Sequence, residues 1–299
     1  MFPTWVEFQP FLVIGLAQGG VYALSGVGMV VLYRATGVLN LSFGAVGAMG
    51  ALIAWQGTNG WGLSEGVSWL LCVAFAAVIT LVYGMIFGVA LADRDPLVKA
   101  TATLGFALLL LGVMSLLWTT SGGAARAITL PTDDSGFNIG TIHATWTQVI
   151  GLWGGIVMAI GTGLFLRRTK LGTAMRAMAT DREITSMLGV PVNRVLALAW
   201  FGCGVLAGIA GLLLADLVAL DPTTLTFLVI SSVAAALIAR LRSIAVTCIA
   251  AIVIGLVDSM ATPILQITNY RDMAPFVLAT IALVAFSSTS RISLDREGI

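Results

Sequence analysis

Residues 97–119 read LVKATATLGFALLLLGVMSLLWT, and no charged side chain follows Lys99 in this stretch. An α-helix rises about 1.5 Å per residue, so about 20 apolar residues cross the roughly 30 Å hydrocarbon core of a bilayer. Lipid offers backbone N–H and C=O groups no partner, so a single crossing segment must be a helix that satisfies its own backbone. The stretch therefore predicts a membrane-spanning α-helix.

The composition of the whole chain agrees with that prediction. Of its 299 residues, 59% are hydrophobic and only 10% are charged, against about 45–50% and about 25% in ordinary soluble domains. A soluble globule of this size has no means of hiding so much apolar surface. The net charge of +1 gives no indication of a nucleic-acid partner. We therefore expect an integral membrane protein.

Nine apolar segments are long enough to be considered as crossings. We expect one all-α transmembrane domain over residues 1–299, with eight or nine transmembrane helices, some of them broken or re-entrant. The apolar runs are much longer than the period-two strands of about ten residues that build a barrel. Segment 37–56 is glycine-rich, which favours a break, and the seventh and ninth segments are short for a full crossing. The segments are 11–33, 37–56, 68–91, 97–119, 147–166, 195–215, 224–239, 243–262 and 275–287.

The basic residues predict the orientation. With the N-terminus outside and nine crossings, Arg126 and Arg271 alone face out, and the other thirteen of the fifteen Lys and Arg residues face the cytoplasm. Cytoplasmic loops carry the excess of Lys and Arg in membrane proteins. We expect the C-terminus inside, and a re-entrant pair in place of two crossings would leave this unchanged. An outer loop at 120–146 and an inner loop at 167–194 are long enough to hold structure.

The inner loop, RRTKLGTAMRAMATDREITSMLGVPVNR, contains the signals of a short helix at 181–188. Thr180-x-x-Glu183 has the form of a capping box, and Asp181 adds negative charge to the first turn. Gly189 is suited to the C-terminal cap, and the proline two residues later prevents the helix from continuing. A solvated connector is the alternative reading, but a flexible connector needs no cap at either end. We favour a discrete helix that transmits force from a soluble partner.

This loop resembles that of the permease subunits of the branched-chain amino acid family of ATP-binding-cassette (ABC) importers. A second block in the N-terminal third resembles the same family, and together the two cover nearly the whole chain. The loop block comprises Leu171-Gly172-x-Ala174-Met175-Arg176-Ala177-x-Ala179-x-Asp181-x-Glu183, Leu188-Gly189-Val190, Arg194-Val195 and Ala207-Gly208-x-Ala210-Gly211. The N-terminal block comprises Gly15-Leu16-x-x-Gly19-x-x-Tyr22-Ala23-Leu24, Tyr33-Arg34-x-x-Gly37-Val38-x-Asn40, and Gly44, Met49, Gly50 and Ala51.

The resemblance implies a multi-pass subunit of the bacterial inner membrane that imports branched-chain amino acids or a related small, fairly apolar solute. Its implied partners are a second permease, homologous or identical, two cytoplasmic ATP-binding subunits and an extracytoplasmic substrate-binding protein, all within membrane lipid. The 181–188 helix would be the coupling helix that docks on an ATPase. The residues implied at or beside that contact are Gly172, Arg176, Asp181, Glu183 and Gly189.

The sequence departs from the family pattern at residues 40–44. The family commonly has Asn-Phe-Ala followed by His or Gln and then Gly, whereas this chain has Asn-Leu-Ser-Phe-Gly. We expect Asn40, Ser42, Phe43 and Gly44 beside the translocation pathway, with Phe43 favouring an apolar acid or amide. For Asn40, an interhelical hydrogen bond that serves packing is an equally good reading. A second departure replaces a glycine-rich stretch late in the chain by Ala239-Arg240-Leu241-Arg242-Ser243.

Other classes of function find little support. An ion-coupled secondary transporter is the alternative, and Asp258 is its only ionisable candidate well inside a segment. No nucleophile-and-base arrangement indicates an enzyme, and no G-x-x-x-x-G-K-[ST] loop indicates nucleotide binding to this chain. The three cysteines lack the spacing of a metal site, so no cofactor or metal is expected. A ribose-type sugar permease is the nearest rival within the importer class.

Overall fold

A computed structural model describes residues 5–91, 94–118, 128, 130, 136–139, 142–180, 182–218, 220–263, 273 and 275–281. Nearly all of this is helical. The helices are α1 (Trp5–Thr36), α2 (Phe43–Asn59), α3 (Glu65–Tyr83), α4 (Pro96–Leu117), α5 (Trp146–Arg168), α6 (Lys170–Thr180), α7 (Arg182–Met187), α8 (Val192–Leu217), α9 (Pro222–Phe227), α10 (Val229–Ile238) and α11 (Ile244–Ala261). A π-helical turn, Gly84–Gly88, extends α3, and residues 275–281 are also helical.

Six helices in the described ranges are long and apolar enough to cross a membrane: α1, α3 with its π-helical turn, α4, α5, α8 and α11. The shorter apolar helices are α2, with 17 residues, and the α9–α10 pair, Pro222–Ile238. The prediction of a polytopic all-α membrane protein is confirmed. The number of crossings stays a prediction, because these shorter segments are those that the sequence marked as broken or short.

A small β-hairpin lies in the outer loop, where no strand was predicted. Strand β1 (Gly136–Ile139) pairs antiparallel with β2 (Ile142–Thr145), with Gly136 opposite Thr145 and Ile139 opposite Ile142. The hairpin leads directly into α5, because Thr145 is the N-cap of that helix. Its hydroxyl accepts from the Gln148 N–H, and the Gln148 side chain accepts from the Thr145 N–H, which is a complete capping box.

Helix α1 lies at the centre of the bundle and packs against α5, α8 and α11. Glycines allow two of these contacts to be backbone on backbone. A Cβ atom at Gly255 of α11 would collide with the backbone of Gly19, and one at Gly155 of α5 would collide with Gly20. Without a hydrophobic driving force between helices in lipid, such close approach gives the van der Waals contact that holds them together. The glycines at these contacts therefore hold α5 and α11 against α1.

The π-helical turn after α3 makes room for a buried indole. A Cβ at Gly84 would overlap the Trp200 ring of α8, which is only 1% exposed. Beside it, the Tyr83 ring stacks on Phe106 of α4, with centroids 4.6 Å apart, and meets Trp200 edge-on at 5.5 Å. A π-helical turn widens the helix by one residue, and such turns occur often at functional sites. The aromatic cluster fixes α3, α4 and α8 to one another.

Candidate functional site

Between α1 and α2 the chain is not helical, and part of this segment is buried in the bundle. Asn40 and Ser42 are each 1% exposed. The Asn40 side-chain oxygen accepts from the Ser42 N–H at 3.0 Å and from the Ser42 hydroxyl at 2.6 Å. Its amide nitrogen donates to the Cys203 sulfur at 3.6 Å, near the middle of α8. Non-helical backbone is tolerated inside a membrane protein where other residues bury it and pair its N–H and C=O groups. Here Asn40 pairs one such group, the Ser42 N–H.

Thr103 of α4, which the sequence analysis did not single out, satisfies the rest of this segment. Its hydroxyl lies 3.0 Å from the Leu39 carbonyl and 2.8 Å from the Ala100 carbonyl of its own helix, which share its one proton, and it accepts from the Leu41 N–H at 3.1 Å. Thr103 is completely buried and lies about 10 Å along α4 from its first residue. The sequence could not reveal this role, because a threonine in a membrane helix usually bonds its own backbone, as Thr101 does and as Thr103 also does at Ala100.

Phe43 and Gly44 begin α2 and pack against other parts of the bundle. A Cβ at Gly44 would lie 2.5 Å from the Thr226 carbonyl oxygen of α9, so only glycine fits there. Phe43 is 2% exposed and lines a cavity of about 10 Å³ together with Gly44 and Ser25. A volume of that size holds about one water molecule. All four predicted pathway residues lie close together, but the surrounding space admits no organic solute in this conformation.

The inner loop is folded, and its first part is the helix α6, which the sequence analysis treated as loop. The Thr169 hydroxyl accepts from the Gly172 N–H at 3.0 Å and so caps the start of α6. A Cβ at Gly172 would collide with the backbone of Phe165 and Leu166 in the last turn of α5. Met175 and Met178 are buried against the bundle. Gly172 therefore lets α6 fold back directly onto the end of α5.

The short helix predicted at 181–188 is present as α7, Arg182–Met187. It ends as expected, because Gly189 has φ +80° and its N–H donates to the Ser186 carbonyl at 3.0 Å. A left-handed residue of this kind is the usual helix terminator. Within α7, Thr185 is buried. The prediction of a discrete short helix in the loop between α5 and α8 is confirmed.

Three hydrophobic side chains on and beside α7 are exposed, and the sequence analysis did not identify them. Ile184 is 58% exposed, Met187 82% and Leu188 77%. Exposed apolar side chains on spanning helices face lipid, whereas α7 is far too short to span. An exposed apolar patch of this kind is typical of a site that contacts another protein or a membrane surface.

The remaining residues predicted at this contact are described only in part. Arg176 is exposed on α6, and its guanidinium donates to the Thr173 hydroxyl at 3.3 Å. Asp181 and the side chain of Glu183 lie outside the described residues, as does the side chain of Thr180. Thr180 is the last residue of α6. The Thr180–Glu183 capping box therefore stays a prediction.

The turn between α10 and α11, where the sequence departs from the family's glycines, keeps a backbone that suits glycine. Arg240 and Leu241 have φ values of +51° and +57°. Left-handed conformations at non-glycine residues cost roughly 1–2 kcal/mol each. The arginines of this turn border a cavity of about 550 Å³ that Arg34 and Lys99 also line.

Asp258, the candidate for ion coupling, pairs across helices. The Tyr22 hydroxyl of α1 donates to a carboxylate oxygen of Asp258 at 3.3 Å, and Tyr22 is fully buried. This hydrogen bond joins α1 to α11, which is a structural role for the Asp258 side chain. Among the described residues, no three His, Cys, Asp or Glu side chains are placed to hold a metal ion.

A bundle of apolar helices around a central helix, with a buried non-helical segment between α1 and α2 and a folded helix on an exposed loop, is the architecture of a polytopic membrane protein. The chain belongs to the family described as branched-chain amino acid transport system, permease component, which matches residues 11–284. This confirms the resemblance seen in the sequence.

Individual relatives support the same family. The chain is 27% identical over 288 residues to LivH of Escherichia coli K12, a high-affinity branched-chain amino acid transport system permease protein, covering 90% of this chain and 91% of LivH. It is 26% identical over 295 residues to BraD of Pseudomonas aeruginosa, a protein of the same description, covering 94% and 95%. The ribose import permease protein RbsC of E. coli K12 is 27% identical over 282 residues, covering 90% and 82%.

Proposed function

We propose that this chain is the membrane-spanning subunit of an ATP-driven importer for branched-chain amino acids or a related small, fairly apolar solute. The observation that carries the proposal is the exposed apolar tip of α7 on a folded loop, in a chain whose family consists of permease components. ATP hydrolysis takes place on separate subunits, since this chain carries no phosphate-binding loop motif.

The coupling contact is formed by α7 and the residues beside it. Met187 and Leu188 enter a cleft of the ATP-binding subunit, Gly189 ends the helix, and Asp181 and Glu183 belong to the same contact. Gly172 and Arg176 lie on α6, which joins the contact to α5. Burial of two large apolar side chains contributes about 1.5–3 kcal/mol each to docking.

The pathway passes beside the start of α2. Asn40 holds the non-helical segment against α8, Thr103 holds it against α4, and Gly44 packs against α9. Because the cavity there is about 10 Å³, transport requires α2 and α9 to separate during the cycle. Phe43 then presents an aromatic ring to the solute, which favours an apolar side chain over a sugar.

The working assembly contains a second permease, homologous or identical, two cytoplasmic ATP-binding subunits and an extracytoplasmic binding protein. The protein lies in the bacterial inner membrane with its N-terminus outside and its C-terminus in the cytoplasm. The proposed orientation places α6, α7 and the α10–α11 turn, with their basic residues, on the cytoplasmic side.

Ion-coupled transport without ATPase subunits is not favoured. It would require Asp258 to exchange protons or ions during the cycle, and the contact with Tyr22 gives this carboxylate a packing role instead. Ribose import is a narrower rival, since RbsC also aligns with most of the chain. Uptake of labelled leucine and ribose by the assembled importer separates these two substrates.

Copurification tests the coupling contact. The tagged chain is expressed with its candidate ATP-binding subunit and extracted in mild detergent, beside the double variant Met187→Ala/Leu188→Ala. Both side chains are exposed, so their removal leaves the bundle intact. We expect the ATP-binding subunit to copurify with the wild type and to be lost from the variant.

The matched control is Leu97→Ala/Val98→Ala, a neighbouring pair of exposed apolar residues at the start of α4. This control should retain the ATP-binding subunit. Equal retention by all three proteins would show that α7 is not the contact. Transport by the purified chain alone, without ATP, would contradict the proposed function itself.

A further inference from the structure

A groove on the surface of the bundle runs between α5 and α11 and has a volume of about 660 Å³. These two helices make few contacts with each other, while α1 packs closely against both. The groove walls are apolar, with Ile156, Ile160 and Leu164 from α5 and Ile244 and Ile249 from α11. Ile160 and Ile249 are among the exposed hydrophobic residues. The part of the groove that these residues line is therefore suited to hydrocarbon chains.

Four arginines from four different elements gather at one end of this groove. Arg34 comes from the last turn of α1, Arg167 from the last turn of α5, Arg176 from α6 and Arg242 from the turn before α11. Among the described residues no acidic side chain lines the groove. Guanidinium groups bind phosphate oxygens with paired hydrogen bonds.

The length of the groove matches one leaflet. From Ile156 to Arg167, α5 rises about 16 Å, which is close to half of the roughly 30 Å hydrocarbon core. The arginines thus stand at the depth of the headgroups when the isoleucines stand near the middle of the bilayer. An occupant with a negative headgroup and acyl chains satisfies both ends at once.

We propose that this groove is a binding site for an anionic phospholipid, with the phosphate held by Arg34, Arg167, Arg176 and Arg242 and the acyl chains lying between α5 and α11. Basic pockets between membrane helices bind anionic headgroups in this way. A second copy of the chain is a poorer occupant, because a symmetric contact would bring four further arginines against these four. The proposal does not depend on coupling to an ATPase.

The site also couples lipid to the inner loop. Arg176 belongs to α6, which leads to α7, and Arg242 belongs to the strained turn at Arg240 and Leu241. A phosphate that bridges them joins these two elements across the groove. Anionic lipid would therefore stabilise the inner end of the bundle.

Lipid retention tests the proposal. The full chain is purified in detergent, incubated with phosphatidylglycerol or phosphatidylethanolamine, and its bound lipid is counted by native mass spectrometry. We expect a preference for phosphatidylglycerol that falls roughly tenfold or more in Arg167→Ala/Arg242→Ala, since each basic residue near an anionic lipid surface contributes about fivefold. The control Arg168→Ala/Arg194→Ala removes the same charge from exposed arginines outside the groove and should keep the preference.

Cys248 provides a second readout, because it lines the groove and is half-buried, whereas Cys72 and Cys203 are buried elsewhere. Phosphatidylglycerol should slow maleimide labelling of Cys248 in the wild type and the control, but not in the groove variant. Equal binding of both lipids by the wild type would overturn the proposal. So would a cross-link from Cys248 to another permease chain, which would identify the groove as a protein interface.

Discussion

The hydroxyl of Thr103 donates to the carbonyl oxygen of Leu39 at 3.0 Å and thereby fixes α4 to the non-helical segment that precedes α2. The same hydroxyl accepts from the Leu41 N–H at 3.1 Å. The hydroxyl proton is shared with the Ala100 carbonyl of α4, 2.8 Å away, so one side chain links its own helix to two backbone groups of the non-helical segment. The broken start of the second apolar segment is stable because α4 supplies this threonine.

Replacing Thr103 by valine keeps the shape of the side chain and removes the hydroxyl. The Leu41 N–H then loses its partner and the Leu39 carbonyl loses the proton that it shares with Ala100, so we expect a loss of about 1–2 kcal/mol in the free energy of unfolding. Thermal unfolding in detergent, followed by tryptophan fluorescence, measures the effect. Thr101→Val is the control, because that exposed hydroxyl bonds carbonyls of its own helix. Similar unfolding temperatures for the two variants would show that the contact contributes little.

The contact between α2 and α8 depends on a glycine at position 211. A Cβ there would collide with the Gly47 backbone, whereas a Cβ at Gly202, on the same helix, meets nothing within 4 Å. We expect Gly211→Ala to destabilise the protein by about 1–3 kcal/mol, because backbone must move to admit the methyl group. Gly202→Ala should instead be neutral or stabilising by up to about 1 kcal/mol. Destabilisation of equal size in both would argue against close helix approach at Gly211.

The left-handed turn at Arg240 predicts an unusual order of stability. Arg240→Gly and Arg240→Ala remove the same interactions, but only glycine adopts a φ of +51° without strain. We expect the glycine variant to be more stable than the alanine variant by about 1 kcal/mol. Parallel thermal unfolding of the two proteins measures the difference. An alanine variant as stable as the glycine variant would mean that the turn relaxes to another conformation.

Termination of α7 at Gly189 should matter for docking. Asparagine tolerates a φ of +80° better than valine does, so Gly189→Asn should keep the end of the helix and Gly189→Val should disrupt it. We expect the valine variant to copurify less ATP-binding subunit than either the wild type or the asparagine variant. The unfolding temperature of the bundle should change little in both, since Gly189 is exposed. Retention by the valine variant would show that the C-terminal cap is dispensable.

The membrane bundle and α7 were predictable from the sequence. Uncharged runs such as 100–119 leave a chain in lipid only the helix, and Gly189 followed by Pro191 ends a helix in any context. A break in segment 37–56 was predicted from glycine content; residues 37–42 are non-helical, but Gly44, Gly47 and Gly50 lie within the continuous helix α2. These features depend on local composition, so they needed no knowledge of tertiary contacts.

Features that depend on distant contacts were missed. Helix α6 was treated as loop because its buried face, with Gly172, Met175 and Met178, is small and is interrupted by polar residues. The role of Thr103 depends on a segment 62 residues away. The exposure of Met187 could not be predicted either, because the sequence alone does not show whether an apolar side chain is buried by other residues. The β-hairpin had no strong turn signal to predict it.

Gly172 brings the first turn of α6 into direct contact with the last turn of α5. With no side chain between the first turn of α6 and the last turn of α5, the two helices share one rigid joint. Any movement of α7 would therefore be transmitted along α6, about 16 Å long, to the end of α5. Since α5 contacts the central helix α1 through Gly155 and Gly20, α1 is the next element in line, and a bulkier residue at position 172 would weaken the connection where it begins.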